Sequence, residues 1–428
     1  DVQFAGTLDG AHALTISDSG TTGFSGAVGG VKPLTSLSVT ASNGSTADMP
    51  SIITTGAPSY DGAVTLGTDA TFSGNGIDFG STVDGDHALT ANADPGTLTF
   101  AGAVGGAAPL ASLSAAGEQL SAGNVSTTGA QSYTAVAGVS LNGALQTDDG
   151  TVTVTGPMAL TGDTSIATNG GDINFSGSTS TINGDYALTL TAGTGNVLLG
   201  GAVGGATALS AFSDSGNDLT LPDVTTDGDA NQSYTTLDNI TLTQSRTLNA
   251  PVSFTADADG DDAGSFILQN GVSLTASNHP LSITAADIDL QGSSTLSSGT
   301  GVMTLDATDG RNIYVGGTTA APGQLTITGD DLSRMSSSGG LMLNTTGSGW
   351  IDVNVITAQQ SQNITGTLNL EAQGNGDISF FSAASTFSGV KTDAATGNTN
   401  IGVNLTTVGH DAEFVPPVTV SGASTIAR

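Results

Sequence analysis

One long motif is written three times in the first half of this chain, and self-similarity on that scale limits the possible folds more than any other feature. The first copy runs Phe4-Ala-Gly6, Asp9-Gly-Ala-His12-Ala-Leu-Thr15, Gly26-Ala-Val-Gly-Gly30, Pro33-Leu34, Ser36-Leu37, Thr54-Thr-Gly56 and Ser59-Tyr60. The second gives Phe79-Gly80, Asp84-Gly-Asp-His87-Ala-Leu-Thr90, Gly102-Ala-Val-Gly-Gly106, Pro109-Leu110, Ser112-Leu113, Thr127-Thr-Gly129 and Ser132-Tyr133. The third gives Phe175-Ser-Gly177, Asn183-Gly-Asp-Tyr186-Ala-Leu-Thr189, Gly201-Ala-Val-Gly-Gly205, Leu209, Thr225-Thr226 and Ser233-Tyr234. Repetition of this kind marks a stacked array, in which each unit buries its apolar face against the next. It favours a structural or adhesive scaffold over an enzyme.

The spacing of the copies sets the size of the unit. The interval from Gly102 to Gly201 is longer than the interval from Gly26 to Gly102. The excess falls between Tyr133 and Phe175, where Leu145 to Asn169 reads as one additional strand-turn segment. An array that accepts a whole insert without losing its flanking pattern is built from coils of about that size, roughly 20–25 residues, so each long repeat holds three or four of them. A propeller blade needs about 40 residues or more, which disfavours that architecture.

Composition agrees. Glu118, Glu371 and Glu413 are the glutamates and Lys32 and Lys391 the lysines, too few to build charged helical faces. Short runs such as Thr151-Val-Thr-Val-Thr155, Ile240-Thr-Leu-Thr243 and Leu325-Thr-Ile-Thr328 alternate polar and apolar residues between Gly, Asn, Asp and Ser turns. Period-two alternation predicts short strands with the apolar residue inward and Thr or Ser outward. The expected fold is therefore all-β: a right-handed parallel β-helix (β-solenoid) with essentially no helix. Roughly 18–20 coils at about 4.8 Å spacing would make a rod about 90 Å long. Residues 1–240 carry the three long repeats (about 4–66, 79–143 and 175–242), and residues 241–428 read as continuing, more divergent coils with no Pro-rich or charged linker.

The net charge is −32, from 38 acidic and six basic residues. Nothing here could neutralise phosphates, so nucleic acid is excluded as a partner, and an anionic membrane surface is disfavoured. No apolar run reaches the length needed to cross a membrane. The absence of cysteine rules out a disulfide-stapled fold. An acidic surface rich in Thr, Ser and Gly suits an extracellular setting.

Both ends look like mid-array sequence. Asp1-Val-Gln-Phe4 matches Asp172-Ile-Asn-Phe175, and Pro417-Val-Thr-Val-Ser-Gly422 with Ile426 and Ala427 resembles Pro157-Met-Ala-Leu-Thr-Gly162 with Ile166 and Ala167. The chain thus reads as a piece of a longer array or as a subunit that stacks end to end. Asp1, Val2, Phe4, Val418, Val420 and Ile426 are the assembly candidates, because a solenoid end exposes unpaired strand edges.

Sites for chemistry are sparse. His12 and His87 share a repeat position that holds Tyr186 in the third copy, so a partly buried ladder position is expected rather than a metal ligand. His279 and His410 are isolated. Asp257-Ala-Asp259-Gly-Asp261-Asp262 resembles a calcium loop, but glycine stands fourth instead of sixth and Leu268 occupies the place of the bidentate glutamate. A solvated acidic turn is the preferred reading, with Asp257, Asp259 and Asp261 a weak calcium candidate and no other cofactor or metal expected. The Gly-Ala-Val-Gly-Gly segments lack a P-loop lysine and a following helix, so they read as tight corners. Trp350 is either core or an exposed contact. The basic residues Lys32, Arg246, Arg311, Arg334, Lys391 and Arg428 are scattered, which argues against catalysis of the acid–base or lyase type.

The phrases Asp-Gly-x-His-Ala-Leu-Thr, Gly-Ala-Val-Gly-Gly-x-x-Pro-Leu-x-Ser-Leu and Thr-Thr-Gly-Ala-Gln/Pro-Ser-Tyr resemble very large repetitive bacterial surface proteins of the filamentous-haemagglutinin type, the two-partner-secreted adhesins. The resemblance covers residues 1 to about 240, and beyond that only the style persists. It implies a right-handed parallel β-helix, export to the cell surface or beyond, and a non-enzymatic role in adhesion or an extracellular matrix. The partners it implies are neighbouring repeats and host or surface glycans. A filament or sheath subunit assembling end to end is the alternative.

Overall fold

A computed structural model describes residues 1–48, 51–227, 232–318, 323–415 and 417–428. Strand accounts for 51% of the chain and helix for 3%, and the strands form a parallel β-solenoid of about 19 turns. The chain divides into two compact units: Asp1–Gly216 with Val224–Asp227, and Asn217–Asp223 with Gly228–Arg428.

In the first unit, the register of one ladder reads Val2↔Thr22↔Ser45↔Val64↔Val83. The coil is thus close to the size inferred from the repeat spacing. The insert also has the expected form. Tyr60 pairs directly with Phe79, whereas Tyr133 pairs with Val154 and Val154 with Phe175, so the second repeat carries one extra coil. Strand interiors follow the two-residue period: in Val152–Thr155 both valines are buried and the threonines point outward.

Stacking of like residues fills the core. Tyr60, Phe79 and Phe100 form a column with ring centroids 5.5 and 5.1 Å apart and planes within 16°. Such stacked rings contribute about 0.5–1.5 kcal/mol per pair beyond their area burial. Parallel, in-register coils bring equivalent residues over one another, which is why the repeat tyrosines and phenylalanines recur.

The repeated phrases are corner devices. In Gly-Ala-Val-Gly-Gly the valine (Val28, Val104, Val203) enters the core. The next residue (Gly29, Gly105, Gly204) has φ of +71°, +68° and +73°. A Cβ there would lie 2.0–2.1 Å from a carbonyl oxygen of the neighbouring coil, so only glycine fits. In Thr-Thr-Gly the first threonine is buried and donates its hydroxyl to the glycine carbonyl, 2.7 Å at Thr54–Gly56 and 2.5 Å at Thr127–Gly129. In Asp-Gly the acid reaches the next coil: Asp9 accepts from the amides of Val31 and Lys32, Asp84 from Ala107 and Ala108, and Asn183 from Ala206 and Thr207. Those amides have no strand partner, so the side chain satisfies them.

In the second unit the coils lengthen. Leu281 pairs with Met303 one ordinary coil later, but the next partner in that ladder, Leu341, comes only after a much longer stretch of chain. The extra length holds strand Ile313–Val315, strand Leu325–Ile327 laid parallel beside it, and a short helix, Gly329–Arg334. A second helix, Ala358–Ser361, lies one coil on. These two short helices fall within the 3% of the chain that is helical, in keeping with the expected all-β fold of essentially no helix. Both start at capping boxes, Thr328 with Asp331 and Thr357 with Gln360.

Candidate functional site

The acidic loop sits between strands Val252–Thr255 and Ser265–Leu268 of the second unit. In the next coil the equivalent corner is minimal: strand Leu281–Ala285 is followed after Ala286 by strand Asp287–Leu290. One coil further on, the corner is large again, with a single tight turn at Thr308–Gly310. The acidic loop therefore reaches over the small corner to the large one. Thr308 donates its hydroxyl to Asp257 Oδ2 at 2.5 Å, across 51 residues of sequence. Arg311 pairs with Asp262 at 2.7 Å and also bonds its carbonyl at 3.0 Å.

Between the two large corners lies a cleft of about 500 Å³. Its floor is an outward ladder, Thr255↔Thr284↔Asp306↔Asn344. Asn344 Nδ2 donates to Asp306 Oδ1 at 3.1 Å. Its walls carry Asp257, Asp259 and Gly260 on one side and Thr308 and Asp309 on the other.

Asp257 is 2% exposed, whereas Asp259 and Asp261 are open to solvent. Each of the three offers an oxygen within 4.8 Å of the others. The seal over Asp257 is thin, formed by the loop itself rather than by the coil interior. Burial still pushes its carboxyl above the ordinary value of 3.8; the Thr308 hydroxyl and the Asp261 amide pull it down, and the charges of Asp261 and Asp259 push it up. Its Oδ1 is sealed from water and makes no hydrogen bond of normal geometry. Asp257 has φ +62° and Gly260 φ +70°, and Gly260 lies against Asp309, whose Cβ and Oδ2 would be 3.3 and 3.6 Å from an added Cβ. Burial also raises the carboxyl of Asp306, against bonds from Asn344 and Thr284 that lower it.

The structure thus revises the solvated acidic turn: Asp259, Asp261 and Asp262 face water and the first carboxylate, Asp257, does not. Asp257 also accepts from Thr308, two coils away, a contact that no local sequence pattern could reveal. Asp306, Asp309 and Asn344 are site residues the sequence reading missed; the signal available for two of them was the run of polar residues along one outward ladder, Thr255, Thr284, Asp306 and Asn344.

The other candidates are dispersed. His12 and Tyr186 are exposed, contrary to the expected ladder position, and His87 is half-buried with Asp69 at 3.6 Å and Asp86 at 3.5 Å. What recurs there is the backbone, since the carbonyls of His12, His87 and Tyr186 accept from Thr35, Ala111 and Ser210 of the next coil. His279 is half-buried and His410 exposed, its Nε2 3.1 Å from the Thr365 carbonyl. Trp350 is half-buried, its amide bonded to Asn312. Asp1 is exposed and its carboxylate accepts from the amide and hydroxyl of Thr21; Val2 and Phe4 are half-buried, Phe4 stacking 5.3 Å from Phe24. Val418, Val420 and Ile426 are 40%, 58% and 49% exposed. Among the described residues, no helix is long and apolar enough to cross a membrane.

The fold and this corner define a parallel β-solenoid repeat protein with one enlarged acidic cleft. Compared with protein-family models, curated proteins and solved structures, the chain matches none.

Proposed function

We propose that the chain is a non-enzymatic, extracellular repeat protein of the filamentous-haemagglutinin-like kind, acting in bacterial cell-surface adhesion or an extracellular matrix. The observation that carries this reading is the coil-to-coil corner system. At several corners an Asp or Asn side chain accepts from a backbone amide of the next coil, so coil is joined to coil by the same device along the array. Its outward strand positions are mostly Thr, Ser and Asn, a hydroxyl- and amide-rich surface suited to glycans. Glycan-array and whole-cell binding of the purified chain test this. Saturable binding to a defined glycan or cell type is expected; no binding to any glycan, cell or matrix component would overturn it.

A filament or sheath subunit is the second reading. Strands Val418–Val420 and Ile426–Ala427 pair with Thr399–Ile401 and Leu405–Thr407 and leave Val418, Val420 and Ile426 exposed. Parallel strands of this kind can add a further strand of like sequence, from the same chain or from another copy. Electron micrographs of unbranched filaments that V420D/I426D abolishes would favour it; discrete particles at all concentrations would remove it.

A further inference from the structure

The acidic cleft leaves one fact unexplained. Asp257 is 2% exposed, and Oδ1 is shut off from water without a hydrogen bond of normal geometry. A buried carboxylate oxygen is costly unless a donor, a proton or a cation meets it. Among the described residues no basic side chain pairs with Asp257, Asp259, Asp261, Asp306 or Asp309. The one arginine at this corner, Arg311, is already committed to Asp262.

We propose that Asp257, Asp259 and Asp261 bind a divalent cation, calcium in preference to magnesium, at the mouth of this cleft. The geometry suits a shared centre. Oxygens on opposite sides of a calcium ion with bonds of about 2.4 Å are about 4.8 Å apart, and closer neighbours are nearer. The three ligand atoms all fall within 4.8 Å of one another. Asp309 lies across the cleft against Gly260, outside this set of three. Irregular coordination by exposed loop oxygens and water suits calcium; magnesium demands near-octahedral geometry and gives up its water reluctantly. The role for the ion is mechanical: it would brace the loop that Thr308 and Arg311 hold against the corner two coils away. Cation binding here is independent of whether the chain works in adhesion, in a matrix or elsewhere.

Calorimetric titration of calcium into the chelator-stripped, full chain at 0.15 M NaCl tests the proposal. One saturable site is expected, at least tenfold weaker for magnesium. D259N/D261N alters only solvent-facing groups and should keep the fold while weakening calcium binding at least tenfold; D257N should do the same. The midpoint of thermal unfolding should rise with calcium in the native chain and not in D259N/D261N. Absence of a saturable site overturns the proposal. So does calcium binding, or a calcium-induced rise in midpoint, that is undiminished in D259N/D261N, since that is diffuse adsorption to a chain of net charge −32.

Discussion

Tyr60 and Tyr133 occupy the same place in two copies of the repeat, and both are buried. Tyr133 donates its hydroxyl to Gln131 Oε1 at 2.8 Å, and Gln131 in turn bonds Thr127 and the Gln146 carbonyl. The first copy has Pro58 where Gln131 stands, and the Tyr60 hydroxyl is buried without a partner. Identical substitutions should therefore have opposite signs. Y133F leaves Gln131 Oε1 unsatisfied and should cost about 1–2 kcal/mol, whereas Y60F should be neutral or stabilising by about 1 kcal/mol. Midpoints of urea unfolding for the two variants check this, and equal losses would contradict it. Asp214 is a second misfit. It faces the core where the earlier copies have Val39 and Ala115, both its oxygens lack partners, and burial raises its carboxyl well above 3.8. Because folding raises this pKa, the group favours the folded state most below pH 3.8 and loses that contribution as pH climbs toward the folded value. D214V should stabilise the chain at pH 7 by about 1–3 kcal/mol and flatten its decline with pH above 4. Thermal midpoints from pH 3 to pH 8 measure it; a D214V gain that does not grow with pH would refute the assignment.

At the level of the coil, the acids that make the chain so negative have a structural role. Asp84 accepts from Ala107 at 2.7 Å and from Ala108 at 3.3 Å, and the third copy places Asn183 in the same role. Asparagine keeps the acceptor and loses only the charge. D84A should thus destabilise by about 1–2 kcal/mol and D84N by less than half of that, read as shifts in denaturation midpoint. An equal loss for both would mean that charge, not the corner bond, matters. This device explains what the sequence shows and hides. Gly-Ala-Val-Gly-Gly spacing reveals the coil because its valine, its left-handed glycine and the carbonyl beside it must recur at every such corner. Asp-Gly also recurs, yet its partner lies 22–24 residues away in the next coil, so its purpose is invisible until the coils are stacked. The two short helices were legible in principle from Thr328-x-x-Asp331 and Thr357-x-x-Gln360. The excursion that lays Leu325–Ile327 beside Ile313–Val315 was not, since two short alternating runs look the same whether they occupy one coil or two.

Over the whole molecule, parallel in-register stacking turns a modest charge density into ladders. Outward residues of adjacent coils stand about 4.8 Å apart, so any acid repeated at one position faces its own kind. Glu371 pairs with Asp393 in this way, directly above Asn344, while the neighbouring Lys391 is matched by Glu413 at 3.3 Å. With 38 acids against six basic residues, most such positions cannot find a cation in the chain. The cleft at Asp257 is the extreme case, and it was only partly legible because the acid count is local while the missing counter-charge is a property of the stack. Salt should therefore act on the fold as a whole. Raising NaCl from 0.01 M to 1 M shortens the screening length from about 30 Å to about 3 Å, below the coil spacing. The native chain's unfolding midpoint should climb across that range, because self-repulsion burdens the compact state more than the open one. E371Q removes one charge of the Glu371–Asp393 pair and should stabilise by about 0.2–1 kcal/mol at 0.01 M, with the gain shrinking toward zero at 1 M. A gain for E371Q that holds constant across the salt series would mean that the repulsion is not electrostatic in origin, and the charge-ladder account of this surface would fall.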